Sequence, residues 1–508
     1  MLVNKILSTL IILSLFAGCF GESTSEDTNN CLISTNKFEN IWEISGEYNT
    51  FSSPHAADLN GDNILDIVIG TGMEVPAKGS IVAIDGNNGN ILWDFKTGQE
   101  MFSSAQFEDL DGDGELDVIL GGRGDQLKAI DGQSGDLIWS FDSNSSEREN
   151  WYQFYTGQFI NDIDGDGVFD WLTSNGGDPT KAPNQERENG YLMILSGASG
   201  EILGVADTPD NMETYMSPIV YNPHPSMETQ ILFGTGGETW HGSLWSTSID
   251  AILNGDISNA TEIVSPSNNI EKGLISTPII LDLTNDEVLD IVVTMFDGRT
   301  IAINGNDFST IWEVDAKEYA ENGTAKNTET WATPAAGYFS EDSTPDIFVH
   351  YTIGEWPQYT SFWTAQIDGG TGIVSWMEET KHISAASPLA IDLNGDNLDE
   401  VVMIRGMVEF NENGPTNPEL SHEVLIWNPC DNSNSLIFNR AGISVASPLI
   451  TDLDNDGDLE MITTSSSSFD SPTGTWNMYR TDLNIPSPTS ITWGAYMGNN
   501  YDGIVNTK

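Results

Sequence analysis

Asp58, Asn60, Asp62 and Asp66 set four oxygen-bearing side chains within nine residues, and the same ladder returns along the chain. It recurs as Asp109, Asp111, Asp113 and Asp117, as Asp162, Asp164, Asp166 and Asp170, and as Asp282, Thr284, Asp286 and Asp290. Two further copies, Asp392, Asn394, Asp396 and Glu400, and Asp452, Asp454, Asp456 and Glu460, end on glutamate. The donors stand at positions 1, 3, 5 and 9 of each loop. Position 7 varies (Ile64, Glu115, Val168, Val288, Leu398, Asp458), so its backbone carbonyl is the candidate fifth ligand. Oxygen-only ligand sets suit a hard cation of six to eight coordination, and the lack of Cys or His in any loop excludes soft metals. The expected cofactor is Ca2+, at about six structural sites. The alternative is an Asp/Gly turn with no ion. Clustered carboxylates repel one another unless a cation sits among them, and six copies weigh against that alternative. A seventh copy, from Tyr338 to Asp346, has lost its first Asp, which leaves its site doubtful.

The residues around the loops decide which elements carry them. An EF-hand needs a bidentate Glu at position 12 and a following helix. Position 12 is Ile69, Leu120, Thr173, Val293, Met403 and Thr463 here, and the flanks are β-branched or apolar, so the loops join strands. Loop starts lie 51 to 60 residues apart, except for the gap of 120 between 162 and 282. Met216-Ser-Pro218-Ile-Val220 opens an extra repeat in that gap, matching Ser276-Thr-Pro278, Ala386-Ser-Pro388 and Ala446-Ser-Pro448, with Ile231-Leu-Phe233 as its second strand. Counting it gives eight repeats. A second element follows most loops. Ala83-Ile-Asp85-Gly through Trp93 recurs as Ala129-Ile-Asp131-Gly through Trp139, with looser copies ending at Trp312 and Trp376. It reads as two strands joined by an Asp-Gly turn, the Trp docking between neighbouring sheets. The chain is therefore predicted to be all-β: a single eight-bladed β-propeller of four-stranded antiparallel blades. Asn40-Ile-Trp42 reads as a lone final strand, and an N-terminal strand that completes the last blade would close the ring and remove its open edge.

The acidic loops with their apolar tails resemble the FG-GAP/VCBS repeats of integrin α-like propellers. The Ala-x-Asp-x-x-x-Gly-x-x-x-Trp elements resemble the tryptophan-docking motif of quinoprotein-like propellers. Together the resemblances cover nearly all of the chain from about residue 38. They imply a propeller fold and calcium ligands at the positions given above, and leave activity open because function sits on grafted sites. Quinone binding does not carry over. Some quinoprotein dehydrogenases use adjacent cysteines, and Cys19, Cys31 and Cys430 are far apart here.

The ends and the charge suggest where such a protein works. Lys5, an apolar stretch from Ile6 to Ala17, and Cys19 read as a signal peptide over 1–18 with a lipobox-like site. Lipidation at Cys19 would anchor the chain to the cell membrane on its extracytoplasmic side; an ordinary secretory signal is the alternative. Residues 19–37 then form a polar tether, and 38–508 the propeller. Export permits disulfides, and Cys31 and Cys430 remain as a candidate pair that would lock the ring. The formal charge is -59, of which six divalent ions would offset only twelve. The rest must coat the surface, which repels nucleic acid and anionic membranes.

The leading functional expectation is a binding or adhesion module for an extracellular protein or polysaccharide, using the irregular insertions at 174–188, 236–245, 319–333 and 354–363. Their aromatics, Trp240, Trp245, Trp331, Trp356 and Trp363, would either stack on a ligand or fill the rim. A calcium-dependent polysaccharide lyase or another propeller enzyme is a second reading, and an envelope assembly scaffold a third. Against an enzyme, none of His55, His224, His241, His350, His382 and His422 falls in a recognisable motif, and no nucleophile elbow is present. Arg123-Gly-Asp125 spells an adhesive tripeptide but falls between two strands, where a turn is expected.

Overall fold

The computed structural model describes residues 31–144, 150–178, 181–182, 185–267, 270–319, 328–355, 358–408, 410–411, 414–415, 420–468 and 473–507. The leader, Cys19 and Trp356 lie outside the described residues. Strand-forming segments alternate with the acidic loops and the Asp-Gly turns, and each run of four folds back on itself as an antiparallel sheet. Eight such blades result. Blade one is His55–Ala57, Asp66–Met73, Lys78–Ile84 and Ile91–Thr97. Blade four, built from Ile219–Tyr221, Gln230–Gly234, Leu244–Thr247 and Thr261–Val264, fills the long gap between acidic loops. The N-terminal strand Glu39–Glu47 pairs with Thr475–Pro486 and completes blade eight, closing the ring. Blade six carries a fifth strand, Thr328–Glu329.

Burial follows position in the blade. The second strand, all of whose residues are buried in blades one and two, is sandwiched between neighbouring sheets and, apart from its leading Asp and Thr71 of blade one, is accordingly free of polar side chains. The fourth strand lies at the outer edge and alternates, as in Ile91–Thr97. The first strand begins just after the Ser-Pro pair rather than on it: Leu389–Ile391 follows Ser387-Pro388. Proline has no N–H for the ladder, so pairing starts one residue later.

The tryptophans of the fourth strands tie blade to blade. The indole N–H of Trp42, Trp93, Trp139 and Trp312 donates to the carbonyl of Gly86, Gly132, Gly197 and Gly369 in the next blade, at 2.6–3.0 Å. The two glycines of this turn act differently. Gly89 sits at φ +73°, where a side chain would also strike the Trp42 ring, whereas a Cβ on Gly86 would lie 2.0 Å from the Leu65 carbonyl. Blade three has no tryptophan on its fourth strand, and there Gly204 lets the short helix Ile249–Leu253 approach its backbone.

Two features of the channel were not foreseen from the sequence. The first is a girdle of hydroxyls at the blade entries. The backbone N–H of Ser104, Thr277, Thr333, Ser387 and Ser447 each donates to the hydroxyl of the equivalent Ser or Thr one blade on: Thr156, Thr333, Ser387, Ser447 and Ser53. The second is the C-terminal segment, which enters the channel. Trp493 exchanges both backbone bonds with Ala390 of blade seven, and Gly494 accepts from Ile450 of blade eight. Gly503 accepts from Ile280 of blade five, and Val505 donates to it. The Tyr501 ring stacks on buried His55 of blade one, centroids 3.6 Å apart. One tail thus pins four blades. Cys31 and Cys430 are bonded, Cα atoms 5.7 Å apart, which joins the residues before the closing strand to blade seven.

Candidate functional site

Antiparallel blades have two rims. The acidic loops and the Asp-Gly turns share one; the connections between blades and the hairpins between second and third strands share the other.

On the first rim the acidic loops are wound by their own carboxylates. Asp109 accepts from the backbone N–H of Gly112 and Gly114, Asp111 from Asp113, and Asp113 from Glu115. Left-handed residues at positions 4 and 6, such as Gly112 (φ +81°) and Gly114 (φ +95°), allow this inward turn. The position-9 acid has a distinct place. It is buried and accepts from the N–H of position 2 and from the glycine of the Asp-Gly turn, as Asp117 does from Leu110 and Gly132. Asp66, Asp170 and Asp290 repeat this pair of bonds. Burial, followed by neighbouring carboxylate charges, pushes Asp66 up to about 7 and Asp117 to about 6. Burial likewise raises Glu400 to about 8, with the Asp396 and Asp392 charges adding to it.

The predicted ligand sets differ in how they converge. Oxygens of positions 1, 3 and 9 lie within 4.8 Å of one another in Asp109, Asp111 and Asp117, in Asp162, Asp164 and Asp170, and in Asp452, Asp454 and Glu460. These are the loops of blades two, three and eight, the ones with Asp at position 3. Asn60, Thr284 and Asn394 at that position leave the loops of blades one, five and seven one carboxylate short. A further grouping, Asp111, Asp113 and Asp131, brings in the Asp of the Asp-Gly turn, which loop-by-loop reading overlooked although Ala-Ile-Asp-Gly is written twice. Such all-carboxylate oxygen sets fit a hard divalent ion.

Blade eight departs from the others. The strand register puts Arg480 opposite Ile462, where blades one and two place Ala83 and Ala129. Its buried guanidinium reaches Asp454 at 2.5 Å, Asp482 at 3.7 Å and Glu460 at 3.9 Å. In the loop from Tyr338, Asp346 still accepts from Gly369, but the Tyr338 N–H turns to Asp399 of the next blade.

The described parts of the insertions expected to bind a ligand lie on the opposite rim, and two of their aromatics belong to strands. Trp363 is buried within the strand Gln358–Ile367, and Trp245 belongs to the strand Leu244–Thr247. The sequence pattern places both in loops, because a long apolar strand end and an aromatic insertion look alike without register. Trp331 does stand at the channel mouth. Three acids sit two residues before a mouth aromatic: Glu100 before Phe102, Glu213 before Tyr215, Glu329 before Trp331. Each is buried against a cation, Glu100 with Arg123, Glu213 with Arg187 at 2.9 Å and Glu329 with Lys272 at 2.7 Å. Arg123 is the arginine of the adhesive tripeptide, and Gln153 also accepts from it. Burial pushes Glu213 up to about 7 despite Arg187.

The chain is a β-propeller protein, and the FAM234A/B beta-propeller model matches residues 70–434. The chain belongs to that family. No curated protein sequence matches it. Among solved structures it is similar to the quinohemoprotein alcohol dehydrogenase ADHIIG of Pseudomonas putida HK5 (TM-score 0.56, 10% identity, covering 90% of this chain and 78% of that one). A europium-containing methanol dehydrogenase gives a TM-score of 0.56 at 10% identity, over 88% of this chain and 94% of that one. Saccharomyces cerevisiae Sqt1 gives 0.51 at 12% identity, over 87% and 98%. At these identities the likeness is one of fold.

Proposed function

We propose that the protein is a calcium-braced binding module, exported and held to the membrane by lipid on Cys19, that presents its channel mouth to a protein or polysaccharide. One observation carries the calcium reading: carboxylate oxygens of positions 1, 3 and 9 approach within 4.8 Å in the loops of blades two and three, with no ion pair to a basic residue there among the described residues. Bare carboxylates at that spacing repel, and a divalent ion among them removes the repulsion. Asp58, Asp109, Asp162, Asp282, Asp392 and Asp452 and their partners at positions 3, 5, 7 and 9 are the proposed ligands, as FG-GAP-like loops would use them. Asp131 adds to the second loop. The ion would join a loop that already holds the Asp-Gly turn through position 9, and so stiffen two hairpins of a blade together.

The binding role rests on the mouth, where aromatic side chains and paired charges gather away from the loops. Among the described residues no helix is long and apolar enough to cross a membrane. Metal analysis of purified protein after gel filtration, with melting curves before and after exhaustive EGTA, tests the calcium reading. The expected result is several bound Ca2+ per chain and a melting temperature that falls by several degrees or more on chelation. Unchanged melting with no bound calcium would end it.

A further inference from the structure

The channel mouth is a cup. Its rim carries Phe51, Phe102, Tyr155 and Tyr215 at the entries of blades one to four and Trp331 at blade six, with Ile275 between Tyr215 and Trp331, and the side completed by blades seven and eight is low, built from Ala385 and Val445. Below the rim lies the hydroxyl girdle, and the floor is Tyr496 of the C-terminal segment. The cavity is about 210 Å³.

Three properties of this cup narrow what it can hold. The aromatic arc is fixed. Phe102, Tyr155 and Tyr215 pack edge to face in series, with centroids 5.5 and 6.1 Å apart, and Trp331 packs on Phe296 at 4.8 Å. Behind them, Arg123 and Arg187 lie 5.7 and 5.9 Å from the Phe102 and Tyr215 rings. Aromatic rings fixed in this way at a cavity wall suit a ligand with a flat apolar side. The girdle supplies donors. Ser53, Thr156, Thr333, Ser387 and Ser447 each accept a neighbour's N–H, yet none donates its own hydrogen to a described acceptor. Five buried O–H groups facing a cavity call for acceptor oxygens. The charges are already matched. Arg123, Arg187 and Lys272 are each engaged by a buried glutamate rather than offered to an acidic ligand, and the chain's charge of -59 repels anions.

We propose that the cup receives the terminal ring of a neutral glycan, its apolar face on the aromatic arc and its hydroxyl oxygens on the girdle. This rests on the binding-module reading and names its ligand. The volume agrees: it falls below the roughly 300–1,000 Å³ of pockets for drug-sized ligands, so a single sugar ring enters and the rest of the glycan stays outside. A quaternary ammonium would favour the aromatics but would meet donor hydrogens below them.

The test uses the whole calcium-loaded chain. It is screened on an array of neutral and uronic-acid glycans. Calorimetry then measures neutral hits, matched uronic-acid oligomers and choline on wild type, Ala385→Trp and Val445→Trp. These two substitutions fill the cup from its low side and remove none of the contacts described, and their melting curves report whether the fold survives. The expected result is binding of a neutral glycan that weakens by about tenfold or more in either variant while melting is unchanged. Neutral-glycan binding unaffected by both substitutions would place the site elsewhere and overturn the proposal. Binding of uronic acids or choline alone would overturn the ligand class. If wild type retained a protein partner and no glycan, the proposal would fail while the module stands. Retention of nothing at all would end the module reading itself.

Discussion

The two rims of this ring treat negative charge in opposite ways. On the loop rim, carboxylate stands beside carboxylate: Asp109, Asp111 and Asp117 share a space of 4.8 Å. On the other rim Glu100, Glu213, Asp297 and Glu329 each face a guanidinium or ammonium from the chain itself. The chain has 18 basic residues against 77 acidic ones, and it spends several of the few on the channel mouth. A rim that carries its own counter-charges is set without help and can present neutral, aromatic surface. A rim that lacks them is where the proposed ion from solution would act. On the proposed reading, the difference would separate bracing from binding in one fold.

Removing calcium gives the largest expected effect. A site held at 100 times its Kd contributes about 2.7 kcal/mol, and several sites would add, so EGTA should lower the melting temperature of the whole ring rather than loosen one blade. A single early transition limited to one or two blades would break the comparison, because bracing would then be local. Trp93→Ala comes next. It removes an indole that is nearly buried and donates at 2.7 Å to Gly132 of the next blade, at an expected cost of about 3–5 kcal/mol in urea unfolding. Trp93→Phe keeps most of the packing and should cost about 1 kcal/mol for the lost bond. Equal losses for both would show that the bond, not the packing, joins the blades.

Acidity sharpens the contrast further. Without metal, the position-9 acids have folded pKa values above their unfolded ones: Asp66 near 7 against 3.8, Glu400 near 8 against 4.5. Between those values the folded state holds more protons than the unfolded state, so stability falls as pH rises from about 4 to 8. Bound calcium demands the ionised carboxylates and reverses the slope. Melting of EGTA-treated protein should therefore drop from pH 5 to pH 8, and melting of the calcium-loaded protein should not. Parallel profiles would mean that no ion sits on position 9.

How much of this was legible beforehand depends on whether the signal repeats. The loop at 109–117 and the Ala-Ile-Asp-Gly element recur with fixed spacing, so eight blades, strand closure by Trp42 and the docking tryptophans could be read from period and residue type. The C-terminal segment occurs once. Trp493, Tyr496 and Tyr501 have no periodic partner, and only the folded ring offers the open strand backbones of Ala390, Ile450 and Ile280 that they meet. The mouth was hidden for a related reason. Glu213 and Arg187 lie 26 residues apart, and their pairing follows from ring geometry that no local pattern encodes. Asp131 was visible but was assigned to the turn alone, because its closeness to Asp111 and Asp113 depends on how the two hairpins of a blade lean together.

Blade eight is the exception within the loop rim, and it makes the finest test of the comparison. Its loop has a full set of carboxylates, Asp452, Asp454, Asp456 and Glu460, yet Arg480 stands where blades one, two and five carry alanine and lies against Asp454 and Glu460. The same guanidinium donates to the Gly86 carbonyl at 2.9 Å, the acceptor of the Trp42 indole, so it also joins blade eight to blade one at the closure of the ring. A fixed cation at the ligand oxygens competes with a mobile one. This loop should therefore hold calcium most weakly of the three complete triads, and it should depend least on calcium for its shape. Arg480→Ala restores the residue that blades one and two carry. It should raise bound calcium by about one ion per chain in metal analysis, lower stability in EGTA through the unpaired carboxylates, and recover much of that loss when calcium returns. Unchanged stoichiometry with a loss that calcium does not rescue would show that Arg480 serves the ring closure alone, and that the eighth loop takes no ion with or without it.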